Sequence, residues 1–370
     1  MFYRNTWAEI NLDYFLNNVQ ILKQYTQKEV FCVVKANAYG HGDYHIAKEA
    51  QKAGCPYVAV SSLDEAMALR KQGYDGNILI LGFVGIGDIL VAKMNNITVT
   101  AVSLDWVGQL CAHYADLSGL KVHLKIDTGM NRIGIKKVDE IKQALALLLT
   151  KNVNVEGIFT HYHSADEEDK TKCIRQKNWF YHVLDSLDYS FRWIHTSNSD
   201  ASLSFHDERS NAVRPGLALY GIKSVPSSLP LSPILSLSTK IICVKEVKKG
   251  ETIGYGATYQ CTKDEWIATI PIGYGDGFVR ANQGRFVCIQ GHPYEIVGRV
   301  CMDQCMIKLD RPYPVGTKVE IISAMISLND MAMQLNMIPY EVLCLLSDRI
   351  PRVYLKDGDV IDTINIRIHE

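Results

Sequence analysis

The chain has 370 residues, 47% of them hydrophobic and 21% charged, and a net charge of -1. That is the balance of a globular protein with room for two ordinary domains, or one large barrel and a smaller companion. Near-neutral charge leaves no electrostatic footprint for nucleic acid or an anionic membrane, and no segment reaches the roughly 20 apolar residues of a bilayer span.

The first residues, MFYRNTWAEINLDYF, contain no apolar core of signal-peptide type. From residue 12 to residue 222, short β-branched runs alternate with longer amphipathic ones. The predicted strands are VFCVVK (30–35), YVAV (57–60), ILIL (78–81), ITVTAV (97–102), KVHLKI (121–126), VEGIFTH (155–161), FRWIH (191–195) and NAVR (211–214). Helical periods such as IKKVDEIKQALALLL and QKNWFYHVLDSL lie between them. Eight βα units predict an α/β fold, a parallel (β/α)8 TIM-type barrel rather than an open sheet. Chemistry in such barrels gathers at the C-terminal ends of the strands. Lys35, Lys125, His161, His195 and Arg214 all fall at or near those ends.

SVPSSLPLSP (224–233) then reads as a linker, which divides the chain into a barrel domain (1–228) and a mostly β C-terminal domain (229–370). The second domain alternates in LSTKIICVKEVKKGETIGYGATY, WIATIPIG, RFVCIQGHPYEIVGRV and TKVEIIS. One short helix is predicted at SLNDMAMQL with Ser327 as its N-cap.

Of ten scattered cysteines, Cys32, Cys243, Cys288 and Cys344 sit inside apolar runs, which predicts buried, reduced thiols. No CxxC occurs. Cys301 and Cys305 lack a second pair, and His41 and His45 flank Gly42 without an acidic ligand, so no metal site is expected. GYGDG (273–277) lacks the GxGxxG spacing of a nucleotide loop and reads as a turn, and DEEDK (166–170) as a solvated helix start.

Lys35 resists a bland reading, because a strand-end ammonium is costly to desolvate unless it is paired or put to use. At a barrel mouth, a desolvated lysine of lowered pKa is what Schiff-base chemistry needs. A phosphorylated aldehyde cofactor would also need anion donors. SNSDASL (197–203) and RPGLALYG (214–221) offer hydroxyls and glycine-flanked amides at the last two strand ends.

The segments VVKANAYGHG, KIDTGMNRIG, GIFTHYHSADE, HTSNSDA, VRPGLALYG, GYGATY, IPIGYGDG and VGRVCMDQCM, in this order and spacing, resemble the alanine racemase family of fold-type III pyridoxal-phosphate enzymes. The resemblance implies a racemase using pyridoxal 5'-phosphate on a small amino acid. It also implies a homodimer with shared active sites, and first residues (1–11, running into TWAEINL at 6–12) that pair with the C-terminal domain. Lys35 matches the Schiff-base lysine and one catalytic base, and Tyr255 the opposite-face base given by the partner subunit. Arg214 matches the arginine facing the pyridine nitrogen, with His195 behind it and His161 near the ring. Tyr39, Asn198, Ser199, Gly216 and Leu217 match the phosphate site. Arg132 matches the arginine at the cofactor oxygen and substrate carboxylate, and Lys125 a lysine often carbamylated to position it. Met302 and Asp303 match the partner-given substrate residues, with Cys301 adjacent. Tyr274, Arg280, Arg299 and Asp166 match the route by which substrate enters.

One departure bears on specificity. In LSDRIPRVY (346–354), Asp348 stands where the family has a tyrosine that crowds the substrate side chain. Removing that ring enlarges the pocket, and the serine racemases of vancomycin resistance are similar in carrying a small polar residue there. Serine is therefore expected beside alanine, supplying D-amino acid for peptidoglycan precursors, with strict alanine racemisation as the alternative. A fold-type III decarboxylase would carry a different phosphate segment, and a non-catalytic pyridoxal-phosphate binder would end near the barrel. Those serine racemases carry a membrane domain ahead of the catalytic part. The expectation is thus a cytoplasmic enzyme, free or as the cytoplasmic domain of a membrane-anchored parent.

Overall fold

The computed structural model of the chain describes residues 2–368. The chain divides into two compact units. One holds Phe15–Ala38 and Gly42–Ser232. The other holds the stretch up to Tyr14, Tyr39–His41, and the chain from Pro233 onward.

The first unit is a closed parallel barrel of eight strands: Glu29–Val33, Tyr57–Val60, Ile78–Ile80, Ile97–Ala101, Lys121–Lys125, Asn154–Phe159, Trp193–His195 and Ala212–Val213. Neighbours pair in parallel all the way round, and Glu29 and Val30 close the ring against Ala212 and Val213. Strands covered on both faces read as continuous β-branched runs, which is why the sequence located all eight. Phe31, Tyr57, Leu79 and Ala212 pack together inside, with Leu81 and Trp193 against them. Helix entry is set locally by side-chain caps, Ser62 on Glu65 N at 3.3 Å and Ser103 on Trp106 N at 3.1 Å.

Two local expectations need correcting. The four acids of DEEDK are exposed, but the segment lies in a turn, and the helix it precedes begins at Thr171. The strand carrying Lys35 stops at Val33, and Ala36–Tyr39 then wind as one left-handed turn, with φ of 52°, 53°, 50° and 54°. Lys35 is therefore the pivot of a reversed turn rather than the last residue of a strand. Such a turn costs L-residues roughly 1–2 kcal/mol each, so the surroundings must hold it in place. Asn37 does part of this, its Oδ1 accepting from Asp43 N at 3.0 Å.

The second unit is built on a ten-stranded sheet. Thr6–Asn11 lies inside it, antiparallel to Leu235–Lys240 and parallel to Arg352–Lys356, with alternate residues buried. Ser327 caps Leu328–Gln334 as the sequence predicts, and a second helix, Pro339–Leu345, was not foreseen. None of the ten cysteines forms a disulfide. Cys344 is exposed and Cys243 half-buried, against expectation, because the first lies on the outward side of the Pro339–Leu345 helix and the second on an edge strand. Tyr39–His41 joins this unit: Arg352 Nε donates to Gly40 O at 3.0 Å and the Tyr354 hydroxyl to His41 O at 3.1 Å. Among the described residues, no helix is long and apolar enough to cross a membrane.

Candidate active site

The polar strand-end residues of the barrel come together around Arg214. It follows the last barrel strand and is buried. Its Nη2 donates to Thr160 O at 2.7 Å and Thr196 O at 3.0 Å, and lies 3.4 Å from His161 Nδ1. Its Nη1 lies 2.8 Å from His195 Nδ1. Phe159 provides the apolar floor: His195 stacks on it at 4.7 Å, and Lys125 Nζ and the Arg214 guanidinium each lie about 5 Å from its centroid. Burial pushes Arg214 down to about 9, which leaves it charged at neutral pH.

A row of polar groups runs from Arg214 into the barrel interior. His195 Nε2 lies 2.8 Å from His123 Nδ1, and His123 Nε2 is 3.7 Å from Glu156 Oε1, beyond hydrogen-bond range. The Tyr57 hydroxyl donates to the same Glu156 oxygen, with Thr98 Oγ1 at 3.1 Å from the phenol. Gly157 makes room for this row, since a Cβ there would meet the His123 ring at 2.6 Å. Burial holds His123 and His195 below the usual imidazole range, so both are neutral. Burial raises the Glu156 carboxyl, but His123 and the Tyr57 hydroxyl outweigh it and the net shift is downward. His123, Glu156 and Tyr57 were missed from sequence. The available signal was His123 standing two residues before Lys125, on the same face of one strand.

His161 collects the cations. Burial comes first in depressing its pKa, followed by the positive charges of Arg214, Lys125, Arg132 and Lys35. Lys125 is itself pushed well below the usual lysine range, by burial first and then by Arg214. Beside this cluster, Ser199 Oγ accepts from Gly216 N at 2.9 Å and Ala218 N at 3.2 Å, which ties the starts of Ser199–Ser204 and Leu217–Tyr220 together. Asn198 caps the first of these by accepting from Ala201 N at 2.9 Å. The positive charges of Arg214, Arg132 and Lys35 felt at His161, with the Lys125 amine beside them and two joined helix starts adjacent, fit a flat anionic group bearing a phosphate. Pyridoxal phosphate meets that description.

The remaining expected residues lie in the second unit, except Asp166, which is exposed in the turn before Thr171. Tyr39 is buried, its ring 5.6 Å from that of Tyr340. Tyr255 is 73% exposed, and Tyr274, Arg280, Met302, Asp303 and Asp348 are exposed as well. The Arg299 guanidinium lies so close to Gly256 that a Cβ there would meet its Nη1 at 2.8 Å, which sets a positive charge beside Tyr255. Cys301 Sγ is 3.6 Å from Arg299 O. Asp348 sits in a turn whose carbonyls are gripped by Arg352: Nη1 donates to Ser347 O and Ile350 O at 2.7 Å, and Nη2 to Leu346 O at 2.9 Å.

Comparison with known proteins covers both units. Residues 10–224 match the family model "Alanine racemase, N-terminal domain" and residues 234–354 match "Alanine racemase, C-terminal domain". The alanine racemase of Streptococcus suis is 46% identical over 362 residues, covering 95% of this chain and 98% of the relative. That of Geobacillus stearothermophilus is 41% identical over 376 residues, covering 98% and 97%. The crystal structure of the Bacillus anthracis alanine racemase with bound L-Ala-P superposes with a TM-score of 0.92 at 40% identity, covering 99% and 98%. A histidine racemase from Leuconostoc mesenteroides superposes with a TM-score of 0.89 at 29% identity, covering 96% and 99%.

Proposed function

Because the chain belongs to the alanine racemase family of fold-type III pyridoxal-phosphate enzymes, we propose that it interconverts L- and D-alanine with two bases, one on each face of the α-carbon. The observation that carries this reading is the cluster around buried Arg214, whose guanidinium reaches His195 and half-buried His161 and shares the Phe159 ring with Lys125, beside the hydrogen bonds that join Ser199 to Gly216 and Ala218. When bound, pyridoxal phosphate supplies an aldehyde that takes up amines covalently and a ring that draws electrons from the α-carbon.

The protein's residues do the rest. Ser199, Asn198, Tyr39 and the amides of Gly216 and Leu217 would hold the phosphate, and Arg214 would meet the ring nitrogen. Arg214 stays charged and is held by two carbonyls and His195, so it offers a donor there and no proton, which restrains side reactions. Lys35 Nζ takes and returns the α-proton on one face and the Tyr255 phenol does so on the other, since a racemase must remove a proton from one side and replace it from the opposite one. Arg132 binds the substrate carboxylate, positioned by Lys125 as a carbamate.

The exposure of Tyr255, Tyr274, Met302 and Asp303 supports a homodimer in which these side chains complete the site of a second copy. D-alanine made this way would serve peptidoglycan precursors. A second reading adds serine as substrate. Asp348 replaces an aromatic ring with a short acid in a turn that Arg352 braces, and a pocket enlarged by several heavy atoms admits a hydroxymethyl group. The neighbour named a histidine racemase supports treating side-chain size as something this architecture varies.

The test is a pair of variants. Tyr255→Ala should keep the cofactor's absorbance and lose racemisation by about 100-fold or more. Lys35→Ala should lose both the covalent cofactor signature and activity. An active Lys35→Ala would sink the proposal.

A further inference from the structure

GYGDG, a turn by its sequence, does more than reverse the chain. Tyr274 N donates to Cys301 O at 3.0 Å and Gly275 N to Met302 O at 2.8 Å, so the turn carries the Cys301–Asp303 loop on its backbone. Asp276 is fully buried. Its carboxylate accepts from both terminal nitrogens of Arg4 and from Gly273 N at 3.0 Å, and one oxygen lies 3.5 Å from Arg349 Nε. The far end of the same guanidinium, Arg349 Nη2, donates to Asp303 Oδ1 at 2.6 Å. Gly275 is what lets Arg349 pass, because a Cβ there would collide with Nη1. Ser347 closes the arrangement, its N donating to Asp276 O at 3.1 Å and its Oγ to Gly275 O at 3.2 Å.

An exposed arginine–aspartate pair by itself does little. This one is anchored: the inner edge of the guanidinium faces a carboxylate that water does not reach, and the outer edge holds Asp303. Only a planar fork can serve two carboxylates in this way, and a lysine can reach one of them. We propose that Arg349, fixed on Asp276, is a positioning residue that holds Asp303 and Met302 in place for the carboxylate of the amino-acid substrate. This rests on the reading above that Met302 and Asp303 face the substrate in the partner's site.

The test uses the full-length holoenzyme and four variants: Arg349→Met, Arg349→Lys, Asp303→Ala, and Arg349→Met with Asp303→Ala. Two quantities are read: KM and kcat for L-alanine, and the dissociation constant of propionate, a carboxylate with no amine, from the change in cofactor absorbance. Arg349→Met should raise KM and the propionate constant about tenfold, the scale of one charge-assisted hydrogen bond, with kcat within about threefold and the free cofactor spectrum unchanged. Arg349→Lys keeps a charge over buried Asp276, and so the fold. It should still raise both constants, by less than the methionine variant. The double variant should be no worse than Asp303→Ala. A KM unmoved by Asp303→Ala would overturn the placement of Asp303 at the substrate, and the clamp with it. A KM raised by Asp303→Ala but not by either Arg349 variant, or full additivity in the double variant, would overturn the clamp alone.

Discussion

Arg214 Nη1 lies 2.8 Å from His195 Nδ1, and that contact orders the imidazoles behind it. A guanidinium only donates, so His195 accepts at Nδ1 and carries its proton on Nε2. That N–H faces His123 Nδ1 at 2.8 Å, so His123 too is protonated at Nε2, toward Glu156. The active arginine is thereby aimed by a row of fixed dipoles running through the barrel.

Isotope-edited NMR should find both rings neutral and Nε2-protonated at neutral pH. Burial lowers the folded-state pKa of each below the unfolded value of about 6.5. As pH falls through that value the unfolded chain gains protons that the native state refuses. The stability is thus complete above it and is lost below it, at about 1.4 kcal/mol per pH unit for each ring. Urea unfolding of the barrel measured from about pH 7.5 to about pH 5.5 should show that loss. A flat profile would mean that the two rings titrate in the folded protein.

Asp348→Tyr should restore the crowding ring and lower the serine-to-alanine ratio of kcat/KM by about tenfold, the scale set by filling a pocket by several heavy atoms. A wild type that turns over alanine alone removes the serine reading. A ratio unmoved by the substitution removes Asp348 as its cause.

Burial first, and the charge of Arg214 second, push Lys125 well below the usual lysine range, which favours its neutral amine. Such an amine adds carbon dioxide, forming one N–C bond and releasing one proton. Isotope-labelled bicarbonate should give a carbamate carbon signal that Lys125→Ala lacks. That variant should raise KM for alanine about tenfold, as Arg132 loses an anionic partner. No signal in the wild type would leave Lys125 as a plain amine.

Ala36 is exposed in the left-handed turn at φ 52°. Glycine has no Cβ to oppose that conformation, so Ala36→Gly should stabilise the fold by up to ~1 kcal/mol while loosening the exit from Lys35. Unfolding by denaturant and kcat together read this. A destabilised variant would show that the alanine side chain, and not the backbone, matters at this position.

The barrel was legible because most of its strands are buried on both faces and so read as short apolar runs, while the helices between them repeat at another period. The second domain was legible only in part. Cys305–Leu309, Arg352–Lys356 and Asp359–Ile364 were not foreseen, since short sheet strands between turns leave weak alternation. The left-handed turn after Lys35 was invisible, because Ala-Asn-Ala-Tyr carries no glycine to announce positive φ. Glu156 was invisible as well: a lone acid in a strand looks solvated until the barrel closes around it.

By itself the sequence determined the order of strands and helices in the barrel, the polar residues at its strand ends and the substitution at position 348, since these are local patterns and identities. Only the tertiary structure decided which of those residues share an environment. Arg214, His195, His123 and Glu156 come from four different strands or strand ends, and Arg4, Asp276, Asp303 and Arg349 from four separate stretches of chain. Their charges and tautomers depend on burial and on neighbours at hydrogen-bond range, and both are set by closure of the barrel and the sheet rather than by position along the chain.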